Sequence, residues 1–225
     1  MKVLLPLLLT VALTGCDTPS PTEADTSLAD PTEVPTPGTT PEADNTGYRD
    51  ITTDDDRIAT ALLAAPEASR DGARVIGYNA AGELVTLREG SNEFICLADD
   101  PNKDGFSAAC YHRSLEPFMA RGRELKARGR ASKEVFATRE EEVKSGKLSM
   151  GDMGSTLHVY YGPSTRYDAI AGRVEDAQYR YVVYMPFATA ASTGLPESPI
   201  APNHPWIMDP GTHTAHIMIS PLRGQ

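Results

Sequence analysis

This sequence predicts an α+β fold: an antiparallel sheet of about six strands with helices packed on one side. Three observations predict it. Apolar runs follow one another closely between residues 73 and 98, two helical runs fill 115–145, and strand-like runs return between 156 and 220. Strands grouped apart from helices in this way belong to an α+β layout rather than an alternating α/β one.

The first element is the helix "RIATALLAA" (57–65), whose start is capped and charged by Asp54, Asp55 and Asp56 and which stops at Pro66. Three strands follow, "ARVIGYN", "ELVTLRE" and "NEFICLA", separated by the turn sequences "NAAG" (79–82) and "EGSN" (89–92). Links this short predict an antiparallel meander, because parallel neighbours need long crossovers. Beyond a cysteine loop, Ser114 is placed to cap a helix near 115–128 that Gly129 stops, and a second helix near 133–145 ends at Gly146. "TLHVYYG", "YRYVVYMP" and "HTAHIMIS" then read as strands. The segment 187–211 between the last two is long and rich in Pro and Gly, which marks it as functional or disordered. Trp206 within it predicts that this part packs down. Six of the nine tyrosines lie between Tyr160 and Tyr184, and the alternation at Tyr179 and Tyr181 predicts a covered sheet face rather than a ligand cage.

The segments before residue 57 differ in kind. Lys2 precedes an apolar run from Val3 to Leu13. That run is too short for a ~30 Å hydrocarbon core, which needs about 20 apolar residues, so it reads as a secretory signal. It ends Leu13-Thr14-Gly15-Cys16, which resembles the lipobox of bacterial lipoproteins. The resemblance covers the leader, residues 1–15. It implies cleavage before Cys16, whose thiol and new amino group then carry acyl chains. Two or more chains hold a protein stably on a membrane, at roughly 0.8 kcal/mol per buried methylene. Asp17 resembles the inner-membrane retention signal of enteric-type lipoproteins, which favours the periplasmic face of the inner membrane; the outer membrane is the alternative. In the domain, "VIGYNAAGELVTLREGSNEFICL" together with "AHIMI" is similar to segments of uncharacterised exported bacterial proteins. That likeness implies export and a shared fold and brings no activity with it.

Residues 16–56 then form a lipidated cysteine and an acidic tether rich in Pro and Thr, too poor in large apolar residues to offset the entropy of ordering. Residues 17–56 hold eleven acids and one Arg, whereas 57–225 hold twenty acids and nineteen Lys plus Arg. The acidity of the chain therefore belongs to the tether and describes no partner of the domain, residues 57–225.

With Cys16 assigned to lipid, export predicts a Cys96–Cys110 disulfide. The loop it closes carries Asp100-x-Asn102-x-Asp104-Gly105, the first half of a calcium-loop pattern. Position twelve of that pattern is Tyr111, which supplies no bidentate carboxylate, and the same residues suit any tight surface turn. Calcium is thus expected weakly if at all, and no other cofactor is expected. Asp209, His213 and His216 are a second metal-ligand set, workable only if a bend intervenes, since strand residues three apart face opposite ways. Ser192 and Thr193 with His216 and Asp209 contain the residue types of a nucleophilic triad without a spacing that selects them. The segment 113–133 carries seven Lys plus Arg against two Glu, which suits anionic headgroups, the acidic tether or plain solvation.

The expected function is that of a membrane-anchored envelope lipoprotein acting as a binding or structural module rather than an enzyme. The alternative is a periplasmic hydrolase or metal-dependent enzyme using the 187–216 loop. The expected partners are the membrane, through the anchor, and an envelope protein; export excludes nucleic acid.

Overall fold

The computed structural model describes residues 47–79 and 81–221, all within the unit Ala43–Gln225. The leader, Cys16 and the tether as far as residue 46 lie outside the described residues. Helix α1 (Asp54–Leu63) starts where the Thr53 hydroxyl accepts the Asp56 N–H at 3.1 Å, with three aspartates in its first turn. Thr53 is thus the cap, and the aspartates complement the positive helix end. Arg70 closes the other end by donating to the carbonyls of Ala65 (3.1 Å) and Leu63 (3.3 Å), which have no helical partner.

Ordered structure reaches back further than the expected boundary at Arg57. Strand β1 (Tyr48–Asp50) pairs with β7 (Arg166–Asp168), and β8 (Arg173–Val174) completes a small antiparallel sheet, β1-β7-β8. Arg49 on β1 meets Asp56 at 2.5 Å. The end of the stretch assigned to the tether is therefore held by pairing that only residues far along the chain supply.

The main sheet is mixed and has eight strands rather than about six. It contains β2 (Arg74–Tyr78), β3 (Leu84–Arg88), β4 (Phe94–Leu97), β5 (Phe106–His112), β6 (Thr156–Gly162), β9 (Gln178–Tyr184), β10 (Trp206–Met208) and β11 (His216–Ile219). Their order is β10-β11-β9-β6-β5-β4-β2-β3. The two strands that the sequence reading lacks are β5, "FSAACYH", and β10, inside the long 187–211 segment.

The first three strands of this sheet do not form a meander. β3 pairs antiparallel with β2, but β4 lies on the other side of β2 and runs parallel to it. The link 89–93 makes this short crossing around the start of β2. Ser91 and Asn92 donate their N–H groups to the Gly72 carbonyl at 2.8 and 3.0 Å, and the Asn92 amide donates to the Ser69 carbonyl at 2.7 Å. Gly90 touches the β2 backbone so closely that a Cβ there would lie 2.3 Å from the Arg74 nitrogen. The glycine permits the approach, and the crossing needs no helix.

Helices cover both faces of the main sheet rather than one side. β4 and β5 are apolar on both faces, so each face needs a cover. Val75, Cys96, Ala108, Cys110 and Tyr160 pack on one face under α1 and the small sheet, against Ala61, Ala64, Tyr167 and Val174. Tyr160 ties the layers: its hydroxyl accepts the Val174 N–H at 3.2 Å. Ile76, Ile95, Tyr111, Val182, Tyr184 and Met218 form the second face with Leu115, Phe118 and Met150. Phe118 belongs to α2 (Glu116–Ala127), which is hairpinned to α3 (Ser132–Lys144); Gly129 and Gly146 follow them in the left-handed region. A four-residue helix, α4 (Ala190–Thr193), lies in the long segment, and Trp206 packs against the second cluster. Ser114 does not cap α2. It sits in a 3-10 turn, Arg113–Leu115, capped by the His112 ring.

Candidate functional site

Cys96 and Cys110 face each other in the β4–β5 ladder, fully buried, with sulfurs 2.05 Å apart. Cys110 Sγ lies 3.2 Å from the Ala61 carbonyl, so the alanines of α1 let that helix ride directly over the sulfurs. The bridge joins two adjacent strands, β4 and β5.

The loop between them is a hairpin turn. Asp100 accepts the Asn102 N–H at 3.1 Å and the Asn102 amide at 3.3 Å, and its other oxygen meets Lys103 at 2.8 Å. Lys103 thus occupies the cation's place at Asp100, and its charge with these hydrogen bonds holds that carboxyl below its usual range. Asp104 turns toward the mouth of a groove on the second face. Gly105 has φ +73°, and a Cβ there would meet the Gly162 carbonyl at 2.8 Å. Asp99, outside the pattern, pins the hairpin by accepting the Ser107 N–H at 2.8 Å, and burial raises its pKa to about 6.

Asp209, His213 and His216 do not converge. Asp209 accepts the Thr214 hydroxyl at 3.2 Å. His213 precedes β11, is fully buried, and packs edge-on to Phe118 (5.7 Å) and Phe136 (4.7 Å). Burial, and then Arg139, push its pKa down. His216 sits on β11 with Nδ1 2.7 Å from the Thr214 carbonyl, which fixes the proton there. Among the described residues no three His, Cys, Asp or Glu side chains form a group able to hold a metal. Ser192 and Thr193 are used within α4, where both hydroxyls donate to the Thr189 carbonyl.

A relay of hydroxyls does exist elsewhere. His112 Nδ1, Ser114 Oγ and Ser155 Oγ are linked at 2.8 Å per step. Ser155 is its buried end, and His112 Nδ1 also accepts the Ser114 N–H at 3.3 Å. The relay therefore caps a turn and pins the approach to β6, with no exposed nucleophile.

The basic segment is largely neutralised. Arg113 pairs with Glu93, Arg121 with Glu124 and Glu142, Arg123 with Glu116, Arg128 with Glu124, and Arg130 with Glu134. Two of these carboxylates, Glu134 and Glu142, come from α3 and a third, Glu93, from the link before β4, which a reading of 113–133 alone leaves out. A cavity of about 680 Å³ at the tip of the α2–α3 hairpin is lined by these paired arginines, so an anion there has to compete with carboxylates already in place. On the first sheet face the tyrosine alternation covers the sheet as expected. Tyr179 stacks on Tyr160 at 4.6 Å, and Tyr181 packs on His158 at 5.3 Å.

The feature that the sequence does not announce lies on the second face. A groove of about 510 Å³ runs across β5, β6, β9 and β11, and its Tyr184 end packs against Phe118 of α2 at 6.2 Å. Leu157, Val159, Val182, Tyr184 and Met218 line it, with Arg180 and His216. Ladder pairing orders these residues in rows: Ser107 beside Tyr161, Val159 beside Arg180, Leu157 and Met218 flanking Val182, then Tyr184 beside His216. Tyr161, Val159 and Arg180 are half-buried, whereas Val182, Tyr184, His216 and Met218 are buried. The groove thus deepens from a polar mouth to an apolar end, where burial pushes the Tyr184 phenol up to about 12. Four residues separate Arg180 from Tyr184, or ~13 Å along the strand.

Arg180 is the groove's chemical handle. Its guanidinium lies 4.7 Å from the Tyr161 ring centroid, and Nη2 donates to the Tyr161 hydroxyl at 2.8 Å. Its Nε is buried without a partner, and no carboxylate among the described residues pairs with it. The signal open to sequence reading was the alternation Leu157, Val159, Tyr161 against Arg180, Val182, Tyr184; the groove they line was not legible. No family model, curated protein or solved structure matches this chain.

Proposed function

We propose that this chain is a lipid-anchored protein of the bacterial envelope whose domain works as a binding module through the groove on the second sheet face. The observation that carries the binding role is the groove itself: a concave, mainly apolar floor with a few polar groups at its mouth, in the size range of small-ligand sites. The anchoring role rests on the leader and Cys16, with Asp17 favouring the periplasmic face of the inner membrane over the outer membrane. The tether gives the domain reach from that surface toward a ligand or an envelope protein. The buried Cys96–Cys110 pair suits an oxidising compartment. A hydrolase using the 187–216 loop is the weaker reading, because Ser192, Thr193, Asp209 and His216 are each engaged in local bonds. Among the described residues no helix is long and apolar enough to cross a membrane.

Two measurements test this. Labelled palmitate should enter the chain, and Cys16→Ser should abolish labelling and release the protein from the membrane fraction. A photo-crosslinking residue at Val159 should capture an envelope component that the same probe at exposed Lys133 does not. Membrane retention of Cys16→Ser sinks the anchor, and equal capture at both positions sinks the groove as the binding surface.

A further inference from the structure

We infer that the groove binds a long-chain carboxylic acid, its carboxylate on Arg180 and its alkyl chain along the Val159–Val182–Met218 floor. The inference rests on the reading of the domain as a binding module and names its ligand class. Three observations converge on it. First, Arg180 is a half-buried guanidinium with one hydrogen bond inside the chain, to Tyr161, and no carboxylate partner among the described residues. By contrast, the arginines Arg121, Arg123, Arg128 and Arg130 of the helical hairpin all hold glutamates. The donor fork of Arg matches a carboxylate in bidentate geometry, and such charge-assisted bonds are strongest where water is thin. Tyr161 beneath the guanidinium holds its plane, so little side-chain entropy is left to lose on binding.

Second, polarity falls in one direction. Asp104, Ser107 and Arg180 lie at the mouth, and the next rows are Leu157, Val182 and Met218, then Tyr184. A ligand charged along its length would strand polar groups over that floor, whereas an alkyl chain releases water from it. Third, the far end is walled by packed side chains: Val182 and Met218 are 4% and 5% exposed within the cluster that holds Leu115 and Phe118, so the groove ends on apolar groups.

The protein carries its own reporter. Trp206, the one tryptophan of the chain, pairs with Met218 across the β10–β11 ladder and belongs to the same apolar cluster. The experiment uses the mature chain with Cys16→Ser, which removes the protein's own acyl chains. It is titrated below micelle concentrations with dodecanoate, dodecanol and dodecyltrimethylammonium, following Trp206 emission and heat.

Dodecanoate should bind at least ~10-fold more tightly than dodecanol, the ratio expected of a hydrogen bond to a charged group, and the cation should bind most weakly. Arg180→Gln should collapse the dodecanoate-to-dodecanol affinity ratio to about one, a ratio measured on the same variant and so independent of any change in its stability. Val159→Trp should obstruct the floor and weaken both. Equal affinity for acid and alcohol, or a preference that survives Arg180→Gln, overturns the inference. If no amphiphile binds while the Val159 crosslink still captures a component, the ligand class falls and the binding module stands. If neither occurs, both fall.

Discussion

Replacing Asp99 by asparagine should stabilise the domain at neutral pH, although it removes a carboxylate that accepts a good hydrogen bond. The Asp99 carboxylate accepts the Ser107 N–H at 2.8 Å across the β4–β5 hairpin. An asparagine oxygen accepts the same bond without the charge. Burial raises the Asp99 pKa from 3.8 to about 6, against the smaller opposing pull of its hydrogen bonds. A carboxyl whose pKa rises on folding binds its proton more tightly in the native state. Its stabilising contribution is therefore complete below about pH 4 and is lost as pH rises through about 6. About two pKa units at ~1.36 kcal/mol each set a ceiling of ~3 kcal/mol, and water at the hairpin rim screens this to ~1–2 kcal/mol. Urea denaturation of wild type and Asp99→Asn, followed by far-UV circular dichroism, should give that gain at pH 7.5 and a difference below ~0.5 kcal/mol at pH 4. A variant that is less stable at pH 7.5, or one whose advantage is the same at both pH values, refutes the reasoning.

Two further substitutions probe the frame. Gly90→Ala should cost at least ~2 kcal/mol, because its Cβ would meet the Arg74 and Ala73 backbone at 2.3–2.8 Å where no side chain can give way; a melting temperature within 1–2 °C of wild type would remove the crossing's dependence on glycine. Joint replacement of Cys96 and Cys110 by alanine should lower stability by ~3 kcal/mol, the chain-entropy scale for a closed loop of this size. Wild type in reductant should lose a similar amount once the bond is open, and a reduced protein with an unchanged denaturation midpoint would contradict it.

The sequence by itself determined what local chemistry and simple pattern can carry. The helix near 57–65, the two helices stopped by Gly129 and Gly146, and six of the strands follow from periodicity and from residues suited to caps and turns. The pairing of Cys96 with Cys110 followed from parity and compartment once Cys16 was set aside. The leader and tether remain expectations from composition and from the resemblance at Leu13-Thr14-Gly15-Cys16, and they lie outside the described residues as far as residue 46.

The tertiary structure decided the rest, because the deciding partners are distant in sequence. β1 is a strand only through β7, more than a hundred residues on, and β5 fits between β4 and β6 although its own small residues signal no strand. β4 lies parallel to β2 because one glycine lets a short link cross a backbone, a contact invisible to any reading of spacing. Helices lie on both faces because β4 and β5 are apolar on both, whereas local patterning led to the expectation of helices on one side only. Much of the charge of the 113–133 segment is taken up in pairs with glutamates, two of them from the neighbouring helix, while Arg180, unremarkable in the sequence, has no carboxylate partner among the described residues and lies at the mouth of a groove. Burial and pairing are properties of three-dimensional neighbourhoods, so the residues with unmet chemistry emerge only after the chain has folded.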